Sequence, residues 1–216
     1  MIITPPHTTI KPMMRMKVNR RNVMQKSIKR LFDIVASSVL IICIFPLWIV
    51  IAVAIYMTSP GGVFFVQRRT GYMGKEFSCL KFRTMYLNGE SDTLQATAAD
   101  PRITLVGAFL RKTSLDETPQ LLNVLVGNMS LVGPRPHMVK HTEMYSGAIM
   151  HYMDRHLMRP GLTGYAQIKG FRGETPDLQH MLDRVKADLV YVRHFSLCLD
   201  IKILWITMIR ILTLKL

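Results

Sequence analysis

Residues 111–136 read RKTSLDETPQLLNVLVGNMSLVGPRP, and the fold is predicted to be organised around this stretch. Two adjacent carboxylates, Asp116 and Glu117, stand just ahead of a short apolar run. Ser114 precedes Glu117 by three residues, which is the spacing of a capping box at a helix start. In an alternative register Thr118 is the N-cap, ahead of a proline at the first helical position. Either register places both carboxylates in or beside a first turn, where unpaired N–H groups and the helix dipole favour negative charge.

Basic side chains stand on both sides of this carboxylate pair. Arg111 precedes the pair, and Arg135 follows it in a Gly-Pro-Arg-Pro turn. Carboxylates that stay ionised beside cations suit a nucleophile or a metal ligand that handles phosphate. A helix cap with solvated charges around it would show the same local pattern, so other parts of the chain have to decide between the two interpretations.

The composition points to an anionic partner. The chain has 216 residues, enough for one compact domain plus an appendage, with 28 basic and 14 acidic residues and a net charge of +14. Nucleic acid, anionic lipid and a phosphorylated substrate would each match this charge. No zinc-finger spacing, RNP-like motif or recognition helix is present in the sequence, so no nucleic-acid partner is expected. Cys43, Cys79 and Cys198 are widely spaced, which favours a reducing compartment.

The N-terminal part of the chain has the pattern of a membrane attachment. Residues 1–28 are rich in Lys and Arg and are predicted to be disordered, and residues 29–58 are predicted to form a membrane helix. Residues 34–57 contain no charged side chain. A helix of this length measures about 36 Å, enough to cross the hydrocarbon core. Pro46 removes a backbone donor near its middle and is expected to bend or break it.

Cations flank the apolar run on both sides, with Lys29 and Arg30 before it and Arg68 and Arg69 after it. Because cations favour the cytoplasmic side, both ends of the run are expected to remain there. A helix that bends at the proline, enters one leaflet and returns satisfies this distribution. A straight span is the alternative.

The remainder of the chain, residues 59–216, is predicted to fold as one α+β domain of amphipathic helices with a short β-hairpin. The hairpin strands are expected near residues 63–67 and 77–84, with a turn at residues 70–74. The last stretch, residues 199–216, is apolar with interspersed cations, which favours a helix in the membrane interface over a helix of the core. Further helices are predicted over residues 102–112, 138–156 and 177–191.

Several linked motifs carry a family resemblance: KRLFDI at 29–34, KFRTM at 81–85, SLDE at 114–117, NVLVGNMSLVGPRP at 123–136 and RPGLTGYAQ at 159–167. In this order they resemble the bacterial monotopic phosphoglycosyl transferases, also called bacterial sugar transferases. The later runs FRGET at 171–175 and RVKADLVYVRH at 184–194 are most similar to the undecaprenyl-phosphate glucose phosphotransferase branch. That branch often carries an additional N-terminal polytopic module, so this chain is expected to correspond to the catalytic half, with its catalytic domain over residues 59–216.

The resemblance implies a reaction and a site. A UDP-sugar, with glucose favoured, would give its sugar-1-phosphate to undecaprenyl phosphate and release UMP. Asp116 would attack the β-phosphorus and form a phosphosugar-aspartyl intermediate, while Glu117 would assist through metal binding or positioning. Asp116 and Glu117 are thus the expected ligands of Mg²⁺. The residues implied to surround the phosphates are Lys81, Arg83, Arg111, Arg135, Arg159 and Arg172.

The resemblance also implies a location: the cytoplasmic face of the bacterial inner membrane, on an anionic bilayer, in the first membrane step of exopolysaccharide, capsule or O-antigen synthesis. A homo-oligomer is compatible with the sequence. Asn128 stands where the family usually has Asp, and Tyr165 stands where it usually has Trp. UDP-galactose or a UDP-N-acetylated sugar is the alternative donor. A non-catalytic scaffold is the alternative function if Asn128 disables the site.

Overall fold

A computed structural model describes residues 20–87, 100–173, 175 and 177–213. The helices in these ranges are α1 (Arg20–Thr58), α2 (Leu105–Thr113), α3 (Gln120–Val126), α4 (Val139–Ala148), α5 (Tyr165–Ile168), α6 (Leu178–Arg193) and α7 (Leu197–Leu212). The strands are β1 (Phe64–Thr70), β2 (Glu76–Phe82), β3 (Ser130–Val132) and β4 (Gly161–Thr163). Short 3₁₀ segments cover Tyr72–Gly74, Leu115–Glu117 and Tyr152–Leu157. The α+β class predicted from the sequence is confirmed.

The predicted β-hairpin is present. Strands β1 and β2 pair antiparallel, with Phe64 opposite Phe82 and Thr70 opposite Glu76. Strands β3 and β4 form a separate parallel pair that the sequence did not predict. Each has only three residues, which is too short for an alternating pattern to stand out. The pair leads from Val132 directly into the Gly-Pro-Arg-Pro turn.

Helix α1 differs from its prediction at both its start and its middle. It begins at Arg20 rather than at residue 29, so the predicted disorder of residues 1–28 does not hold from Arg20 onwards. The stretch Met24–Gln25–Lys26 consists of good helix formers, which explains the earlier start. Residues 1–19 lie outside the described residues. The helix also continues through Pro46, so the break expected there is not found, while a bend at this position stays a prediction.

One face of α1 packs against the rest of the domain along most of its length. Side chains spaced by three or four residues are buried in both halves: Lys29, Asp33, Ser37, Trp48, Ile51 and Ile55. Ile41 and Ile44 continue this stripe between the two halves. The opposite face is exposed and apolar, with Phe32, Val39, Ile42 and Val50 among its side chains. The segment Met24–Thr58 is long and apolar enough to cross a membrane by length and composition.

The core consists of three clusters. The largest joins β2, α3, β3 and α6 around Val124, Met129 and Tyr191. A second cluster joins the C-terminal half of α1 to Phe82 and Leu110, and a third joins α6 to the 3₁₀ segment at Tyr152. Helix α7 buries Ile203 in the first cluster and leaves Trp205 62% exposed. Whether this exposed face lies in a membrane interface stays a prediction.

The polar composition of residues 88–101 predicts a loop, of which residues 88–99 lie outside the described residues. The single helix predicted over residues 138–156 is two elements. Helix α4 ends where Ile149 takes an extended backbone. His151 then has a left-handed backbone with φ of 61°, and the chain continues as the 3₁₀ segment Tyr152–Leu157.

Candidate active site

The two carboxylates lie between α2 and α3, on a 3₁₀ turn rather than inside a helix start. Ser114 has a left-handed backbone with φ of 59° and closes α2 as its C-cap. Its side chain caps no backbone N–H, so the predicted capping box is wrong. The Thr118 hydroxyl donates to the carbonyl of Leu115 (2.8 Å), so the alternative N-cap is not formed either. The carboxylates nevertheless stand beside the start of α3, as both registers required.

Helix α1 contacts this turn through Trp48. The indole Nε1 of Trp48 donates to the Thr118 hydroxyl over 2.9 Å. The Trp48 ring also meets the Phe82 ring edge-on, with centroids 6.1 Å apart. The membrane-type helix therefore contacts both the carboxylate-bearing turn and the end of β2.

Glu117 is a buried carboxylate that forms ion pairs with two cations. Lys81 Nζ lies 2.7 Å from Oε1, and Arg135 donates from Nη2 to Oε1 (2.5 Å) and from Nη1 to Oε2 (3.0 Å). Burial alone would raise the pKa of Glu117. The attraction of Arg135 and Lys81 outweighs burial and holds this pKa well below its usual value. The same contact raises the pKa of Arg135, so the pair stays ionised.

Lys81 reaches Glu117 because α3 is pinned to β2. The Asn123 side chain accepts from the backbone N–H of Leu80 (3.0 Å) and donates to the carbonyl of Ser78 (2.8 Å). These two bonds fix the middle of α3 against the strand that carries Lys81. The convergence of Lys81, Glu117 and Arg135 that the family motifs imply is thus built by strand, turn and loop together.

Asp116 contrasts with its neighbour. It is 8% exposed, and within the described part of the chain no hydrogen bond or ion pair reaches its carboxylate. Burial raises its pKa, against the opposing attraction of Lys81 and Arg111, and the charge of Glu117 raises it further. The sequence had suggested that neighbouring cations would keep the group fully ionised. An acid whose carboxylate is unengaged and incompletely solvated is suited to nucleophilic attack.

Further cations surround the pair. The Arg172 guanidinium donates from Nη2 to the Ser114 hydroxyl (2.5 Å). Burial lowers the pKa of Arg172, while the charge of Glu117 opposes this change, which places the guanidinium within electrostatic range of the site. Arg69 was not predicted to belong to the site. Burial lowers its pKa, and the charges of Glu117 and Asp116 oppose this change, so it also lies within electrostatic range of both carboxylates. In β1 it follows another arginine, Arg68, and local pattern does not distinguish the exposed member from the inward-facing one.

Two predicted phosphate-binding residues are held elsewhere. Arg83 donates to the carbonyls of Pro60 and Ser59, each over 2.7 Å, and so closes the chain after α1. The family resemblance grouped Arg83 with Lys81 through the KFRTM motif, but β2 ends at Phe82 and Arg83 lies just beyond the strand.

Arg159 lies at the opposite end of α3 from the carboxylates. Its Nε donates to the carbonyl of Gly127 (3.0 Å), and its guanidinium lies 5.5 Å from the Tyr72 ring centroid. It lines a small cleft with Lys26 and Arg30, away from Glu117. Asn128 is exposed beside this end of α3 as well.

The carboxylates differ in their fitness as metal ligands. Both oxygens of Glu117 already accept from Arg135 and Lys81, whereas the Asp116 carboxylate is open. Mg²⁺ is commonly held by one or two carboxylates together with substrate phosphates. Asp116 fits such a role and Glu117 does not in this arrangement. Among the described residues, no cluster of three or more His, Cys, Asp or Glu side chains could hold an ion.

Comparison with known proteins assigns the fold to a family. A model of the family described as bacterial sugar transferase matches residues 24–214. The chain belongs to the bacterial sugar transferase family. The family resemblance predicted from the motifs is therefore confirmed.

Curated members of the bacterial sugar transferase family align with most of this chain. A UDP-glucose:undecaprenyl-phosphate glucose-1-phosphate transferase of Xanthomonas campestris pv. campestris is 50% identical over 85% of the chain and 38% of the relative. The exopolysaccharide production protein PSS of Rhizobium leguminosarum bv. phaseoli is 42% identical over 86% of the chain and 96% of the relative. A UDP-N-acetylgalactosamine-undecaprenyl-phosphate N-acetylgalactosaminephosphotransferase of Aeromonas hydrophila is 41% identical over 86% of the chain and 44% of the relative. The chain thus spans less than half the length of the first and third of these relatives.

Proposed function

We propose that the chain transfers glucose-1-phosphate from UDP-glucose to undecaprenyl phosphate and releases UMP. The observation that carries this proposal is the contrast within the carboxylate pair. Glu117 is neutralised by Lys81 and Arg135, while Asp116 beside it is open and partly desolvated. Such a pair can direct one carboxylate at phosphorus without its neighbour repelling the incoming phosphate.

The reaction would proceed in two displacements. An oxygen of the Asp116 carboxylate attacks the β-phosphorus of UDP-glucose, and the bond from that phosphorus to the bridging oxygen breaks, with UMP leaving. Asp116 then carries glucose-1-phosphate as an acyl phosphate. An oxygen of undecaprenyl phosphate attacks the same phosphorus, the bond to Asp116 breaks, and the carboxylate is regenerated.

The cations around the pair would stabilise the charge that develops on the transferred phosphoryl group. Lys81 and Arg135 are positioned by Glu117, and Arg111 and Arg172 face the pair electrostatically. Arg83 and Arg159 have no such part in the proposal, because other groups engage their guanidinium groups. When bound, Mg²⁺ would supply further neutralisation of the diphosphate, with Asp116 as the protein ligand that fits it.

The packing of α1 supports a membrane placement in one leaflet. Lys29 and Trp48 lie 19 positions apart, roughly 28 Å along a helix, yet both contact the same body through Asp200 and Thr118. A helix crossing the bilayer would carry that body into the hydrocarbon. We therefore place α1 in one leaflet, entering and leaving on the cytoplasmic face of the inner membrane, with its exposed apolar face toward lipid. This arrangement brings a bilayer-bound acceptor to the site.

The donor sugar is the least constrained part of the proposal. The Xanthomonas and Aeromonas relatives carry different sugars in their names, so UDP-galactose and UDP-N-acetylated sugars belong in the same assay. Asn128 gives the scaffold alternative no support, since it is exposed at the far end of α3.

The test is UMP release by purified protein in nanodiscs with undecaprenyl phosphate, Mg²⁺ and a panel of UDP-sugars. UDP-glucose is expected to be the best donor, and UMP is expected to appear in step with lipid-linked sugar. Acid-quenched protein from a reaction with β-³²P-labelled UDP-glucose should carry label on the peptide containing Asp116. Lipid-linked product without label on that peptide at any time would contradict the aspartyl intermediate.

A further inference from the structure

The Gly-Pro-Arg-Pro turn is held by two arginines on consecutive carbonyls. Arg155 Nη2 donates to the carbonyl of Arg135 over 2.7 Å, and Arg69 Nη1 donates to the carbonyl of Pro136 over 2.7 Å. Prolines on both sides of Arg135 restrict the backbone further, since the ring fixes φ and limits the preceding residue. The backbone from which the Arg135 side chain leaves is therefore unusually constrained.

Arg155 is in turn fixed by a carboxylate from a distant helix. Asp188 in α6 accepts from Nε of Arg155 (3.0 Å) and from Nη2 (2.5 Å). Each side chain of this pair is 1% exposed. The same Nη2 that meets Asp188 also meets the carbonyl of Arg135. One nitrogen thus joins the ion pair to the active-site turn.

Stability alone is a weak reason for such a pair. Moving two charges out of water costs about as much as their attraction returns, and buried pairs can often be replaced by apolar side chains without loss. An apolar replacement could not donate to the Arg135 carbonyl. What the pair does uniquely is to fix the backbone carbonyl of Arg135. The side chain of the same residue makes two hydrogen bonds to Glu117.

We infer that Asp188 and Arg155 are positioning residues that hold the Arg135 guanidinium on Glu117 and at the transferred phosphate. Neither residue touches substrate; both act through the backbone of Arg135. The inference rests on the proposed transfer reaction for its catalytic consequence, but the link from Asp188 to Glu117 is structural and can be measured without turnover.

The catalytic consequence is tested by a double-mutant cycle. Asp188→Asn keeps the side-chain shape, and it is expected to lower kcat about 10- to 100-fold, the range for a slightly misplaced catalytic group, with KM for UDP-glucose changed less than about 3-fold. In an Arg135→Ala background, Asp188→Asn should lower kcat by less than about a further 2-fold, because the group that Asp188 positions is gone. Equal losses in both backgrounds would overturn the inference, since a general structural defect does not depend on Arg135.

Asp183→Asn is the matched control. Asp183 lies on the same helix but is exposed, paired with Lys186 at the surface. Its replacement should leave kcat within about 2-fold of the starting value, as surface pairs contribute little. A loss equal to that of Asp188→Asn would point to α6 in general and count against the inference.

A second measurement needs no turnover. In protein labelled with ¹⁵N in arginine, the guanidinium signals of Arg135, assigned by their loss in Arg135→Ala, should move or broaden in Asp188→Asn, because Arg155 no longer holds the Arg135 backbone. Unchanged Arg135 signals would contradict the link even if activity fell. If the starting protein transfers no sugar phosphate, the proposed function fails while these signals still decide the positioning. If Asp188→Asn does not fold, Arg155→Lys replaces it in both measurements, since lysine keeps the charge but cannot bridge Asp188 and the Arg135 carbonyl in the same way.

Discussion

Lys29 in the first helix and Asp200 in the last helix form a buried ion pair, with 2.7 Å between Nζ and Oδ2 and side chains 9% and 8% exposed. The Tyr191 hydroxyl donates to the other carboxylate oxygen of Asp200 over 2.8 Å. This contact fastens the N-terminal half of α1 to α7, so the two helices with exposed apolar faces are tied together by charge.

Lys29→Met should therefore destabilise the protein strongly. It leaves Asp200 buried without a countercharge, and breaking one side of such a pair costs roughly 3–5 kcal/mol. Denaturant titration in detergent measures the change in the free energy of unfolding. Lys186→Met is the control, because it removes a pair with side chains 67% and 38% exposed and should cost no more than about 1 kcal/mol. Equal losses in the two variants would show that Lys29 contributes no more than a surface charge.

Asp116→Asn should abolish transfer and leave the fold intact. The amide cannot form the acyl phosphate, so UMP release is expected to fall at least about 10³-fold, as for other lost nucleophiles. Stability should hardly change, because the Asp116 carboxylate has no partner in the described chain and burial already disfavours its charge. Substantial residual transfer in a folded variant would remove Asp116 from the mechanism.

Arg111→Gln should shift the acidic limb of the pH–rate profile. The ionised carboxylate of Asp116 is the nucleophile, and burial raises its pKa while Lys81 and Arg111 oppose the rise. Activity is thus lost as pH falls through this raised pKa. Removing Arg111 should raise the pKa of Asp116 further. The acidic limb of kcat should move to higher pH. Lys112→Gln changes an exposed neighbour and should leave the limb in place; identical shifts would argue against a specific effect of Arg111.

Gly161→Ala should disrupt the short parallel pair that supports the Gly-Pro-Arg-Pro turn. A Cβ at position 161 would collide with the backbone of Gly133 and of Thr163, neither of which can move aside cheaply. A loss of roughly 1–3 kcal/mol, as for other overpacked sites, is expected in thermal or chemical unfolding, with reduced transfer. Gly62→Ala is the control, because the nearest atom to its Cβ is 3.9 Å away. A fully stable Gly161→Ala protein would contradict the tight approach of β3 and β4.

Both ends of α1 should be reachable from the cytoplasm only. Epitope tags placed before Arg20 and after Gly62 should stay hidden in intact spheroplasts and become accessible after lysis. Detection of the first tag in intact spheroplasts would mean that α1 spans the bilayer. The measurement decides between the one-leaflet arrangement and the straight span that the sequence left open.

The sequence predicted what local pattern and linked motifs encode. Alternation predicted the β1–β2 hairpin, and the family resemblance implied that Lys81, Glu117 and Arg135 belong to one site. The capping box failed because Ser114 adopts a left-handed backbone, which no Ser-x-x-Glu pattern signals. The motif KFRTM grouped Arg83 with Lys81 at the phosphates, whereas the Arg83 guanidinium donates to the carbonyls of Pro60 and Ser59.

Contacts between distant segments left no local signal. Arg155 and Asp188 lie 33 positions apart, and neither has a neighbour that marks it as buried. The β3–β4 pair likewise depends on two three-residue segments meeting across the fold. Such features need the three-dimensional arrangement, since burial of a charge is decided by what packs over it from elsewhere in the chain.

The packing of α1 has a practical consequence for protein production. Trp48, Ile51 and Ile55 are three of the five buried side chains in the cluster that also holds Phe82 and Leu110. Trimming the first helix to obtain a water-soluble fragment would expose Phe82 to solvent. It would also remove the indole that donates a hydrogen bond to Thr118, two positions from Asp116. Purification should start from the intact helix in detergent or nanodiscs, because a shortened version would be prone to aggregate and would be a poor guide to the enzyme.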